Sequence, residues 1–245
     1  MLKRITFLDR ESWLEGRQRQ GIGASEAAAI CGFSQWQTRT ELWEIKTGRR
    51  ARKDISDKDY VGRGHLMEGA VRDFYAALHP EHEIDHHPYD ILFQAERPWL
   101  FATLDGEIKE TGFKNPPEGT RRIEIPAGGV PVEVPRGDTK IPFIRHGILE
   151  IKTSAPNNKA AWAEWDGRIP DAYYCQCCHQ LLATGWDFVV LQPALWHHNG
   201  DITLKDAYVI ERSEHEADIA WVLEQETEFW DSVQTGKRPG VPIRF

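Results

Sequence analysis

Glu150 and Lys152 stand two residues apart in the run Gly147-Ile-Leu-Glu-Ile-Lys152. In an extended chain, residues i and i+2 project to one face, while Ile151 between them projects to the other, into a core. A carboxylate and an ammonium are thereby set side by side. Thr153, Ser154 and Pro156 follow, where the strand should stop. A carboxylate binds a hard metal ion, and a neighbouring lysine can hold or polarise a water. Those are the parts of metal-assisted phosphodiester hydrolysis. Alternating charged and apolar residues equally describe a half-solvated strand, so these residues alone leave both readings open.

Other stretches could contribute. In Arg17-Gln-Arg-Gln-Gly-Ile-Gly-Ala-Ser-Glu26, Gly21 and Gly23 break one helix and Ser25 can open the next. A Gly-rich turn feeding a helix presents free backbone N–H groups, so with Arg19 and Ser25 it could hold a phosphate or be an ordinary capped turn. Glu68 lies off the apolar stripe Leu66, Ala70, Phe74, Leu78, so it is either exposed or turned to a cleft. Asp105-Gly106 sits between two short apolar runs, a hairpin signal that makes Asp105 a turn residue on local evidence. His82, His86 and His87 lack matching Cys or carboxylate spacing and read as surface histidines.

The elements that must position these groups follow from punctuation and periodicity. We expect helices over 9–18 (Asp9 as cap), 26–30, 38–48, 64–79, 157–165 and 170–184, the last stopped by Gly185. A final helix capped by Ser213 places Ile219, Val222, Leu223, Phe229, Trp230 and Val233 on one face, with Gly236 and Pro239 closing it. Strands are expected over 83–86, 89–93, 100–108, 147–152, 186–193 and 202–211. The Pro-rich stretch 109–146 reads as an inserted hairpin or long loop near the cleft.

The chain has 245 residues, 40% apolar with ten Trp, and no run that divides it, which favours one domain. Its net charge of −8 argues against a basic nucleic-acid coat but allows an enzyme with one positive channel. Lys46, Arg49, Arg50, Arg52 and Lys53 form one basic cluster, and Arg121 with Arg122 another that reads as a solvated loop. No apolar run reaches spanning length and Met1–Phe7 is not a long apolar segment, so we expect a cytoplasmic protein. Cys31, Cys175, Cys177 and Cys178 suit a reducing compartment, three of them lying on one expected helix.

In order, the motifs are Arg-x-Gly-x-Gly-Ala-Ser-Glu, Gly64-x-x-x-Glu68, Asp105-Gly106, Glu150-Ile-Lys152 and Tyr174-x-Gln176-x-x-His179-Gln180-x-x-x-x-Gly185. Together they resemble the lambda-exonuclease and YqaJ-like viral recombinase family of the PD-(D/E)XK nuclease superfamily. The resemblance implies an α/β restriction-endonuclease-like core, a mixed central sheet flanked by helices, as one domain over 1–245. It implies a phage-type, Mg²⁺-dependent exonuclease, with Mn²⁺ able to substitute. Such an enzyme degrades one strand of linear duplex DNA from its 5′ end, as a ring-shaped homotrimer. The 3′ tails it leaves serve a single-strand annealing protein.

Carried over, Asp105, Glu150 and the Ile151 carbonyl would hold metal, with Glu68 doing so directly or through water. Lys152 would position or activate the attacking water, and Gln176 would orient the site. Arg19, Ser25 and Thr103 would fall at a 5′-phosphate pocket. The chain departs from the family with Leu104 in place of Pro, with the long 109–146 insert, and with Cys178 where a second Gln is usual; Asp138 is the alternative acid should Asp105 be mispaired. Some relatives hold an iron–sulfur cluster on one early and three late cysteines, but the spacing here is wrong for one and buried helix packing is expected instead. A catalytically inactive end-binding scaffold and an endonuclease of the same superfamily are the competing readings.

Overall fold

The computed structural model describes residues 1–18, 21–53, 59–114, 120–123, 132–135 and 140–240. Their helices are α1 (Arg10–Gln18), α2 (Ala27–Ile30), α3 (Arg39–Lys46), α4 (Asp59–Leu78), α5 (Lys159–Ala163), α6 (Asp171–Thr184) and α7 (Glu216–Thr235). The strands are β1 (Leu2–Thr6), β2 (Ile22–Gly23), β3 (His82–Asp85), β4 (Asp90–Gln94), β5 (Leu100–Ala102), β6 (Gly106–Lys114), β7 (Thr120–Ile123), β8 (Val132–Pro135), β9 (Ile141–Ser154), β10 (Phe188–Trp196), β11 (Ile202–Leu204) and β12 (Tyr208–Glu211). A mixed sheet runs β11-β10-β9-β6-β3, with β12 also on β10, and a smaller sheet runs β1-β4-β5-β2. This is the α/β architecture with a mixed central sheet that the motif order implied.

β9 is the axis of the molecule. It pairs antiparallel with β6, Gly106 opposite Leu149, and parallel with β10, Gly147 opposite Phe188. The parallel pair requires a crossover, which α5 and α6 supply. Both faces of β9 are therefore covered. Ile148 lies in a core shared with Leu181, Val189 and Leu191, whereas Leu149 and Ile151 lie in another with Val71 and Tyr75 of α4. Strands buried on both faces read as unbroken apolar runs. Glu150 is the one charge in the run 147–151, and it is 2% exposed.

The helix α4 meets the sheet on a face other than the expected one. Leu66, Phe74 and Leu78 are 80%, 47% and 60% exposed, while Val71 and Tyr75 are buried and Met67 packs beside them. The helix also meets β9 at Gly64. A Cβ on Gly64 would lie 3.1 Å from Thr153 Oγ1, so the glycine faces the strand. Positions 64, 67, 71 and 75 then form the buried stripe, and Glu68, one turn from Gly64, lies at its edge.

Other expectations change in detail. The run expected as one strand over 100–108 breaks at Thr103-Leu104-Asp105. β5 belongs to the small sheet and β6 to the large one, so Asp105-Gly106 is a crossing between sheets rather than a hairpin. The strand expected over 202–211 is two, both antiparallel to β10. Gly23 rather than Ser25 stands at the N-cap of the short turn Ala24–Glu26, where Glu26 accepts the Gly23 N–H (3.1 Å). Ser213 falls inside a 3₁₀ turn, and α7 begins after His215 without a side-chain cap. Gly185 does end α6, with φ 74°, and Thr38 with Glu41 makes a reciprocal cap on α3. The ends of the Pro-rich stretch continue β6 and β9 as paired strands, and β7 pairs with β8 inside it.

Candidate active site

The strand β9 delivers Glu150 and Lys152 to the α6 side of the sheet, as their spacing requires, and the two meet with Lys152 Nζ 2.5 Å from Glu150 Oε1. From α6, Gln176 donates to Glu150 Oε1 (2.7 Å) and Gln180 donates to Oε2. Gln176 and Gln180 are one helical turn apart, so they share a face. Cys178, at the position where the family usually has a second Gln, is buried with Cys175. The ring of Tyr173 lies 5.3 Å from the Lys152 ammonium.

Asp105 arrives from the crossing between sheets. Its Oδ2 accepts the Ile151 N–H (2.8 Å), and Arg72 of α4 donates to its backbone carbonyl (2.7 Å). Burial, the neighbouring Glu150 charge and, more weakly, Glu68 push the Asp105 carboxyl well above the usual carboxylate range, against Lys152 and the Ile151 N–H. Burial alone would lower the Lys152 pKa, but Glu150 and Asp105 outweigh it and raise the ammonium above its ordinary value. Lys152 is therefore a fixed cation and hydrogen-bond donor at neutral pH rather than a free base.

The donor set is hard oxygen: the neighbouring carboxylates of Asp105 and Glu150, with Lys152 paired to Glu150. That is the chemistry a divalent cation of the Mg²⁺ type takes, and such a cation would relieve the repulsion on Asp105. Asp105, Glu150 and Glu68 do not all approach within 4.8 Å; among the described residues the one group of three metal-capable side chains that does is His79, Glu81 and His82, at the end of α4. His82 is also half-buried, stacked on Tyr75 and bonded to its hydroxyl (2.9 Å), rather than a free surface histidine.

A cavity of about 650 Å³ is lined by Arg17, Ser25, Glu26, Lys46, Arg50 and Arg52 among others. Burial holds the Arg17 pKa below its ordinary value, with Arg52 adding to this and Glu26 and Asp105 opposing it. Buried Glu26 organises the floor. It pairs with Lys46 (2.7 Å) and Arg52, and these with the Gly23 N–H keep its carboxyl below the usual range although burial pushes it up. Ser25 lines this cavity, Thr103 is not among its lining residues, and Arg19 lies outside the described residues, as does Asp138. Arg17, Glu26 and Lys46 line this cavity and Gln180 bonds Glu150, although the sequence assigned none of the four a place in a site. Lys46 and Arg52 were legible only as a basic cluster.

No helix among the described residues is long and apolar enough to cross a membrane. No curated protein matches the chain. Among solved structures, an alkaline exonuclease (LHK-Exo) from Laribacter hongkongensis is similar at TM-score 0.60 and 17% identity, covering 93% of this chain and 94% of that one. The same enzyme in complex with dAMP is equally similar, at TM-score 0.60. At that identity the likeness is one of fold. The YqaJ-like viral recombinase domain model matches residues 12–187, so with Glu150, Lys152 and Asp105 brought together inside that span, the chain belongs to the YqaJ-like viral recombinase family.

Proposed function

We propose that this chain is a Mg²⁺-dependent exonuclease that digests linear duplex DNA 5′ to 3′ and leaves 3′ single-stranded tails for a strand-annealing protein. The observation that carries the reading is the Glu150–Lys152 pair, held by Gln176 and Gln180 and facing Asp105. Family membership and the exonuclease fold support it.

Asp105 and Glu150, with the Ile151 carbonyl, would hold Mg²⁺, and Glu68 would reach it directly or through water. When bound, the ion would stabilise charge on the phosphoryl group and leaving oxygen. Lys152, kept charged by its two carboxylates, orients the attacking water and counters charge that develops on the phosphate. Gln176 and Gln180 hold the Glu150 carboxylate so that it does not rotate away. The basic cavity binds a terminal 5′-phosphate through Arg17, Lys46 and Ser25, with Arg19 as a further contact; Thr103, outside the cavity lining, is left out of the pocket. A phosphate held there sets the scissile bond at a fixed distance from the end, which makes the enzyme choose ends. We infer one catalytic domain over 1–245 with 109–146 as its insert, assembled as a homotrimer in a host-cell cytoplasm.

The test is incubation with end-labelled linear duplex, with and without Mg²⁺, and sizing of the products. Mg²⁺-dependent shortening, faster on 5′-phosphorylated than on 5′-hydroxyl ends, is the expected result. Equal activity on closed circles would make the protein an endonuclease of the same superfamily, and end binding without digestion would make it a scaffold.

A further inference from the structure

His79-Pro80-Glu81-His82 is the turn that carries the chain from α4 into β3. The His79 N–H donates to the Tyr75 carbonyl (3.0 Å) and closes the helix, and the His82 N–H donates to the His79 carbonyl (3.0 Å) and closes the turn. Pro80 takes the second position of that turn, where its fixed φ suits the backbone. Four residues thus bring three ligand-bearing side chains to one corner. One ligand atom from each of His79, Glu81 and His82 lies within 4.8 Å of the other two.

Tyr75 holds both imidazoles. It is buried on α4, and its ring stacks on His79 (centroids 4.3 Å apart, 26°) and on His82 (5.9 Å, 22°). Its hydroxyl bonds His82 Nδ1 (2.9 Å). A ligating imidazole gives its second nitrogen to a fixed partner. On His82 that partner is Tyr75, which leaves Nε2 for an ion. His79 Nδ1 lies 3.0 Å from Glu81 Oε1. Ligand atoms about 2.0–2.1 Å from a tetrahedral ion stand about 3.3 Å apart, so this contact admits an ion in place of its proton with only a small shift. Burial holds the His82 pKa below its ordinary value, which favours the neutral ring that binds metal. The corner also lies at the C-terminal end of α4, where the last carbonyls favour a cation.

Two imidazoles and one carboxylate suit Zn²⁺, whereas Mg²⁺ takes oxygen ligands. We propose that His79, Glu81 and His82 form a Zn²⁺ site, with water as the fourth ligand. It is separate from the Asp105–Glu150 set, since His79 follows Glu68 by roughly 15 Å along the helix at about 1.5 Å per residue. Its role is structural. It clips the end of α4 to β3 and steadies the helix that carries Glu68 and Arg72. The site does not depend on the nuclease reading, because the turn and Tyr75 build it.

The test titrates the chelator-treated full chain with Zn²⁺ in excess Mg²⁺, so that hard oxygen sites do not compete. One equivalent should bind, and Co²⁺ in its place should give the intense visible absorption of a four-coordinate ion. His79→Gln and Glu81→Gln should each weaken binding by about tenfold or more, since even an outer partner costs that much. Both should lose the Co²⁺ band with an unchanged circular dichroism spectrum. His86→Asn with His87→Asn, at exposed neighbouring histidines, and Glu150→Ala should bind as wild type does. Zn²⁺ should raise the melting temperature of wild type and leave that of Glu81→Gln where it was. The proposal is overturned if wild type takes up no Zn²⁺ under these conditions, or if either ligand variant binds as wild type does. It is also overturned if the His86 and His87 substitutions weaken binding as much as the ligand variants, which would mark loose binding to surface histidines.

Discussion

Lys152 owes its charge to its neighbours. It is buried enough for desolvation to lower its pKa, yet Glu150 and Asp105 reverse that. Lys152→Ala should cut the cleavage rate by on the order of 100-fold or more, because a preorganised cation at the phosphate is lost. Glu150→Ala should do the same, and circular dichroism should show both variants folded. Wild-type digestion by either would break the site assignment. Glu26 is a different case, since it touches no substrate in this arrangement but pairs with Lys46 and Arg52. Glu26→Gln should reduce the preference for 5′-phosphorylated over 5′-hydroxyl ends several-fold while internal chemistry persists, read as the ratio of initial rates on the two substrates. The Glu150–Lys152 pairing was legible from an i, i+2 spacing alone. The Gln180 contact was not, because its partner is 30 residues away in the chain and only the docking of α6 on β9 brings them together.

At the level of elements, the position of α4 decides where Glu68 points. The helix lies against β9 through Gly64, whose added Cβ would meet Thr153 Oγ1 at 3.1 Å. Gly64→Val must push the helix away from the strand. We expect a loss of about 1–3 kcal/mol in stability, as for other overpacked sites, together with slower cleavage as Glu68 and Arg72 shift from Asp105. Thermal melting and single-turnover rates on the same preparation check it; an unchanged rate would separate Glu68 from the chemistry. The apolar stripe read from periodicity was a real stripe facing the wrong way. Two sets of residues on α4 recur at helical spacing, and a one-dimensional pattern cannot say which of them the sheet will cover.

At the level of the whole molecule, α6, α7 and the small sheet are tied together by His179. Its Nδ1 lies 2.7 Å from Glu226 and its Nε2 2.9 Å from the Phe101 carbonyl, all fully buried. Burial alone would lower the His179 pKa, but Glu226 and the Phe101 carbonyl leave it raised. The stabilisation is therefore complete below the unfolded imidazole value of about 6.5 and is lost as pH climbs through the folded value. The urea midpoint should fall on that alkaline side, and Glu226→Gln should lower stability by about 1–3 kcal/mol and flatten the slope. The exposed face of α4 belongs to this scale too. Leu66, Phe74 and Leu78 are exposed on α4, and the proposed homotrimer is tested there. Light scattering should report a trimer, and Phe74→Glu should shift it toward monomer.

What the sequence determined by itself was the set of local geometries. Strand alternation placed Glu150 beside Lys152 and Ile151 behind them, Gly185 ended α6, and the ordered motifs identified the family. These depend on spacing within one element, and spacing survives in one dimension. Tertiary structure alone decided that Asp105 crosses between two sheets, that Gln180 completes the grip on Glu150, and that α4 turns Leu66 outward. Each of those depends on how two separate elements dock, and docking is settled by close approaches such as Gly64 on Thr153, which no single segment encodes.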